Sequence, residues 1–381
     1  MAELCYVALL LGNCGGVVPV IDVGANELRA LLAARGEQLR EYQADVELIE
    51  SPGTDRGEVA RLRLEYADWL DRHKFVPSTD EMRKGIAGYL NWKSSRVRGC
   101  RYSADAQGRI RIDPRIDPDN EAALQANLRS AVIYNGEDWK SYREWNDPAT
   151  GRRESSLSIL HDSPQNDGWF EVARGAAVDL PYRFAGPPLD FPLSRRALDL
   201  KVLGWEELLS LIPEELSTSD VTVPPGGGEP RPVLILETAP FRETERGVYR
   251  LSVWFAPEHG YAPCAVAAEN LDPSGPDEEW VHILQWSGVW SDPIELENEI
   301  TCYGRCRVKL YERIDIPAEG LPIEKWVRKP FHHVQYDFTF SKLRVGSPVD
   351  AALFDVQPVA GTKVLDQSKG YFYDVGSAGH E

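Results

Sequence analysis

Few residue groups in the chain have the types and spacing for catalysis. His161-Asp162-Ser163 gathers the three residue types of a nucleophilic triad. Triad partners meet through folding rather than adjacency, and this run abuts Pro164, so it reads as a turn. The sequence has no Gly-x-Ser-x-Gly elbow, no His-Glu-x-x-His and no kinase signature. Cys302 and Cys306 could form half of a zinc site, but no second paired element accompanies them. His332-His333 falls in a strand-like run, where neighbouring side chains point to opposite faces and do not readily share an ion. No metal or other cofactor is expected. Glu278-Glu279 and the run from Glu295 to Glu299 read as acidic surface, with spacing that does not fit an EF-hand. Pro224-Pro225-Gly226-Gly227-Gly228-Glu229-Pro230 lacks a following Gly-Lys-Ser/Thr, so it is a surface turn rather than a phosphate cradle. What remains is aromatic. Trp69, Trp92, Trp139, Trp145, Trp254, Trp280, Trp286 and Trp290 all fall in or beside expected strands. They fill a core, or they line an apolar concave surface that accepts an acyl chain. Each buried CH₂ of such a chain contributes about 0.8 kcal/mol without any catalytic group.

These residues need elements to hold them. Asn26 is a good N-cap, and Leu28, Leu31, Leu32, Arg35, Leu39 and Tyr42 follow at helical spacing. From Tyr42 the period becomes two. Leu62, Leu64, Tyr66 and Leu70 oppose Arg61, Arg63 and Glu65, which predicts a strand over Val59–Leu70. Strands are also expected at Gly85–Trp92, Ser95–Tyr102, Arg109–Asp113, Ala131–Tyr134, Trp139–Trp145 and Ser155–Leu160, with Asn135-Gly136 as a hairpin turn. Short helices between Pro-rich loops are expected over 165–215. Alternation then resumes. Tyr249, Leu251, Val253 and Phe255 oppose Arg250, Ser252 and Trp254. Val308, Leu310, Ile314 and Ile316 oppose Arg307, Lys309, Arg313 and Asp315. Val334, Tyr336, Phe338 and Phe340 oppose Gln335, Asp337 and Thr339. Alternation of this kind marks antiparallel strands with one wet face, and without βαβ order it argues against Rossmann and TIM-barrel folds.

The 381 residues carry 42 Lys plus Arg against 60 Asp plus Glu, a formal charge of −18. That field repels phosphate backbones, so nucleic acid is not an expected partner. Cys5 to Val20 is uncharged, with a short apolar core that suits a signal-peptide h-region better than a spanning helix. Met1–Leu4 departs from that pattern in carrying Glu3 and no basic residue. Leu11-Gly12-Asn13-Cys14 brushes against a lipobox, with Asn13 where a small residue belongs. The expected organisation is a signal segment over 1–24 and one domain over 25–376. Cys100, Cys264, Cys302 and Cys306 could form two disulfides or stay as buried free thiols.

The order of several short motifs resembles one family. Arg250-Leu-Ser-Val-Trp-Phe-Ala-Pro-Glu-His-Gly-Tyr-Ala-Pro263 resembles the W-x-D-P-x-x-G-Y-x-P strand-turn-strand of outer-membrane lipoprotein-sorting (LolA-like) proteins, with Ala256 in place of the acid. Gln285-Trp-Ser-Gly-Val-Trp290 resembles the G-V-W-x-P element, with Pro293 displaced by Ser291-Asp292. Tyr134-Asn-Gly-Glu-Asp-Trp139 resembles a family hairpin, and Phe354 to Asp366 its closing F-x-x-x-P-x-G-T-x-V-x-D segment. The resemblance implies a mainly β (α+β) fold: a strongly curved antiparallel sheet, an incomplete β-barrel, with an N-terminal helix and a helical insertion as lid. It implies a non-enzymatic exported protein of the periplasm or cell envelope. Such a protein binds a lipid or lipoprotein acyl chain, with another envelope protein as a further partner. It carries over no catalytic residue. Strand parity nominates Leu62, Leu64, Tyr66, Tyr249, Leu251, Val253, Phe255, Val334, Tyr336 and Phe338 as the trough lining. The alternatives are a structural or protein-interaction module of the same fold with a self-filled core, and a hydrolase built from scattered carboxylates.

Overall fold

The computed structural model describes residues 24–376 apart from 40, 74–78, 92–95, 108, 116–120, 136–137, 161–233, 238–240, 245–246, 273–280, 297–300, 317–326, 357 and 367–369. The expected signal segment and the helical insertion at 165–215 lie outside the described residues.

A helix opens the described chain, α1 (Ala25–Gln38). It starts one residue before the expected cap: Gly24 takes the N-cap position, and Asn26 accepts a hydrogen bond from Arg29 at 2.9 Å. The buried stripe is Leu28, Leu32, Arg35 and Leu39, whereas Leu31 is exposed. Strand β1 (Tyr42–Pro52) follows, then α2 (Arg56–Arg72) and α3 (Thr79–Asn91).

The two helices correct the strands expected at Val59–Leu70 and Gly85–Trp92. Leu62, Leu64 and Tyr66 do alternate, but Val59, Leu62, Tyr66 and Leu70 also repeat at three and four residues, and the segment is rich in Glu, Ala, Arg and Leu. Helix propensity decides between the two patterns. Arg61 then pairs with Glu58 and with Glu65, contacts that exist only at helical spacing. In α3, Ile86 is buried and Tyr89 half-buried, three residues apart, while Leu90 is exposed.

The remaining elements are β2 (Arg96–Ala104), β3 (Ile110–Pro114), a short α4 (Glu121–Gln125), β4 (Arg129–Tyr134), β5 (Trp139–Asn146) and β6 (Arg153–Leu160). Then come β7 (Leu234–Glu237), β8 (Phe241–Thr244), β9 (Gly247–Ala256), β10 (Ala262–Asp272), β11 (Val281–Glu295), β12 (Thr301–Ile316), β13 (Val327–Val345), β14 (Lys363–Asp366) and β15 (Tyr371–Asp374). Ala351–Phe354 forms a 3-10 turn.

Among the described residues, all fifteen strands join one sheet in the order β15-β14-β6-β5-β4-β3-β2-β1-β13-β12-β11-β10-β9-β7, with β8 also on β9. Pairing is antiparallel except that β14 runs parallel to β6. The sheet is curved and unclosed. Among the described residues, bulges or register shifts fall at five pairings: Gln43/Asp45 against β13, Leu310/Tyr311 against β13, Pro263/Ala265 against β9, Ala268/Glu269 against β11 and Arg242/Thr244 against β9. A mainly β, incomplete barrel is thus observed.

Candidate functional site

On β12, Arg305 and Arg307 are exposed while Cys306 and Val308 are buried. Strand parity therefore separates a wet outer face from a covered inner face. Arg307 answers Asp337 across the outer face at 2.7 Å. Residues directly opposite on neighbouring strands share a face, so the inner set can be followed strand by strand. Cys306, Val308 and Leu310 of β12 stand opposite Phe338, Tyr336 and Val334 of β13. The same three stand opposite Trp290, Gly288 and Trp286 of β11. Gly288 leads to Val266 on β10 and so to Val253 on β9, and Trp286 leads through Ala268 to Leu251. In the other direction Phe340 meets Val46 on β1, which meets Cys100 on β2.

Val253 and Phe255 on β9 and Val334, Tyr336 and Phe338 on β13 thus share one face, and Tyr249 and Leu251 hold alternate register positions on β9. Val253, Phe255 and Phe338 are fully buried, Val334 nearly so, and Tyr336 is half-buried against the core. Leu62, Leu64 and Tyr66 are not on the sheet, and the parity that nominated them does not apply on a helix. Leu62 still reaches the inner face, packing with Val59 against Ile314, on the same side of β12 as Leu310. Leu64 is exposed, and Tyr66 stacks on Trp69 at 6.4 Å. Parity had not nominated Val266, Gly288, Trp290, Cys306, Val308 or Leu310. The alternation of Val308 and Leu310 is visible in the sequence, but their partners are not.

Helices cover the two ends of this face. At one end Leu28, Leu32 and Leu39 of α1 join Tyr42, Tyr102, Cys302 and Trp290 in one core. The guanidinium of Arg35 is buried there and donates to the carbonyl of Thr301. Burial lowers its pKa, with Cys302 and Tyr303 opposing. The four cysteines of the sheet, Cys100, Cys264, Cys302 and Cys306, are buried. Burial pushes Cys100 and Cys302 up to about 12 and Cys306 well above its ordinary value. At the other end α2 and α3 lean on β12 and β13. Arg63 pairs with Glu312, and Tyr89 donates to the carbonyl of His333 at 3.0 Å. Between the two covers lie Val308, buried, and Leu310 and Tyr336, only partly buried. This middle stretch is the candidate trough, apolar and framed by helices.

Among the described residues no group of three His, Cys, Asp or Glu side chains could hold a metal ion, and no helix is long and apolar enough to cross a membrane.

No family model matches the chain, and no curated protein does. Solved structures of similar shape are known. One is a domain of a putative outer membrane lipoprotein-sorting protein from Vibrio parahaemolyticus, 13% identical, covering 87% of this chain and 96% of its own, with a TM-score of 0.37. Another is a LolA superfamily protein from Nitrosomonas europaea, 8% identical, covering 88% and 98%, with a TM-score of 0.36. A third is a DUF1329 family protein from Desulfovibrio piger, 12% identical, covering 87% and 98%, with a TM-score of 0.32. The first two carry the family name that the motifs resemble.

Proposed function

We propose that the chain binds the acyl chain of a lipoprotein, or another amphiphile, against the inner face between α1 and the α2–α3 pair. It acts as an exported envelope protein and has no chemistry of its own. The observation that carries this reading is the continuity of the apolar register from β9 to β13, with Leu310 and Tyr336 left partly open between two helical covers. The motif order supports the same class. Another envelope protein that receives or delivers the amphiphile is part of the proposal.

Displacement of a fluorescent fatty acid from the purified chain tests it. Leu310→Asp and Tyr336→Asp place a charge on the trough floor and should weaken uptake at least tenfold, with Thr339→Asp on the exposed outer face as the unaffected control. Phe255 is unsuited to this test: it is 0% exposed, and an aspartate there would threaten the fold itself. Equal uptake by all three variants would remove the trough. The self-filled module has one observation in its favour, the full burial of Val253, Phe255 and Phe338 by the chain's own side chains. Native mass spectrometry separates the two, since co-purifying lipid belongs to the carrier alone.

A further inference from the structure

The α2–α3 cover is joined to the sheet through a short junction, Gly53-Thr54-Asp55, between the end of β1 and the start of α2. This junction runs along β13 at its bulge, His332-His333. Gly53 N donates to the His333 carbonyl at 2.7 Å and Asp55 N to the His332 carbonyl at 3.3 Å. The approach is so close that a Cβ on Gly53 would lie 2.1 Å from the His332 oxygen. Asp55 occupies the N-cap position of α2, yet its carboxylate makes no cap bond. Instead it accepts from the backbone N–H of His332 at 2.9 Å.

The His332 ring closes the junction. It is 5% exposed, and its Nδ1 lies 3.1 Å from the backbone N of Thr54 and 3.0 Å from Thr54 Oγ1. A backbone N–H can only donate, so Nδ1 is the acceptor and the imidazole is neutral, with its proton on Nε2. Nε2 is buried, and a backbone contact of the ring with Val334 favours its protonated form. A second proton on Nδ1 takes away the acceptor that Thr54 N–H uses. The charged and titratable groups around it are Asp55 from the junction, Lys309 and Tyr311 from β12, and His333 on its own strand. Arg63, Tyr89 and Glu312 stand around His333. Burial and Lys309 disfavour a cation at His332 and prevail over Asp55 and the Val334 backbone, which favour one.

We propose that the contact of Gly53–Asp55 with His332 is a proton-sensitive latch that holds the α2–α3 cover over the inner face and loosens as the pH falls. The consequence for function, release of a bound amphiphile in acid, rests on the trough reading given above. The sign follows from linkage. The His332 pKa in the latched state lies below that of an open imidazole, so the open state binds more protons. The latch is intact above the open-state value near 6.5 and weakens as pH falls below it.

Two readouts on the full chain keep the latch and the trough apart. Hydrogen exchange over residues 56–91, corrected for intrinsic rates, should show about threefold or greater loss of protection from pH 7.5 to pH 5.5, below the tenfold per pH unit that one proton allows. His332→Asn keeps an acceptor near the Nδ1 position without a titration, and should flatten that change. His333→Gln should leave it intact. Protection independent of pH in the native chain, or flattened by His333→Gln rather than His332→Asn, overturns the latch. Fluorescent fatty acid release is then measured at the same two pH values. A pH-dependent cover with no probe bound at either pH keeps the latch and removes the trough. Probe bound equally at both, over a cover of constant protection, removes the latch and keeps the trough.

Discussion

Trp290 and Gly288 offer a direct test of whether the inner face is packed as the register implies. Both stand on that face, and a Cβ on Gly288 would come 2.7 Å from Cη2 of Trp290 and 3.3 Å from Cγ1 of Val266. The indole, 1% exposed, therefore packs directly against the glycine. Gly288→Ala gains about 0.5–1 kcal/mol from a stiffer strand but forces overpacking worth about 1–3 kcal/mol, a net loss of about 1 kcal/mol. Trp290→Ala leaves a cavity and should cost about 3–5 kcal/mol. With the ring gone, alanine at 288 keeps only its strand benefit. The double variant should then be more stable than the sum of the singles by about 1–3 kcal/mol. Equilibrium urea unfolding followed by circular dichroism measures all four corners of the cycle. Additivity within about 0.5 kcal/mol would mean that the ring does not cover the glycine, and the inner-face assignment of β11 would fall with it.

Other expectations concern the two ends of the face and its outer side. Gly53→Ala must push the junction off His332, so exchange over residues 56–91 should rise even at pH 7.5; unchanged protection would place the cover elsewhere. Asp45 is buried, with Arg115 and Lys342 each at 2.8 Å. Burial opposes its ionisation, but the Lys342 and Arg115 partners outweigh it and hold the carboxyl below its ordinary 3.8. Its contribution is therefore present above pH 3.8 and lost as the pH falls through the lower folded value. Asp45→Asn should cost about 1–3 kcal/mol at pH 7, and the gap from the native chain should narrow in acid unfolding curves. Peptide-resolved thiol labelling at pH 8 should find Cys100 and Cys302 inert until denaturant is added, because burial holds both near 12.

The one-sided strands were readable because alternation survives wherever one face is wet. Arg305, Arg307, Asp337 and Thr339 mark that side as plainly as Val308 and Phe338 mark the other. The parity of β9 and β13 could be read from each strand alone, so the positions nominated there keep one register. The segment from Arg56 to Arg72 misleads because apolar residues at 62, 64 and 66 satisfy period two while 59, 62, 66 and 70 satisfy the helical period. Only tertiary docking on Ile314 and the Glu58–Arg61–Glu65 pairing resolve it. Partners across strands stay hidden, since nothing local in β1 announces that it pairs with β13 nearly three hundred residues later. The His332 contact is hidden for the same reason. Adjacent histidines in a strand look like opposite-facing neighbours until a bulge and a distant glycine are seen beside them.

The sheet is sewn from two meanders, β2 to β6 and β9 to β13, along the single line where β1 meets β13. A nascent chain therefore makes β1 early and can offer its second edge a partner only after synthesis has passed Val345. The far rim closes later still, when Lys363 settles beside Ser156. Assembly of such long-range pairs is slow, and the waiting edge of β1 is the natural place for a chaperone to bind or for two unfinished chains to stick together.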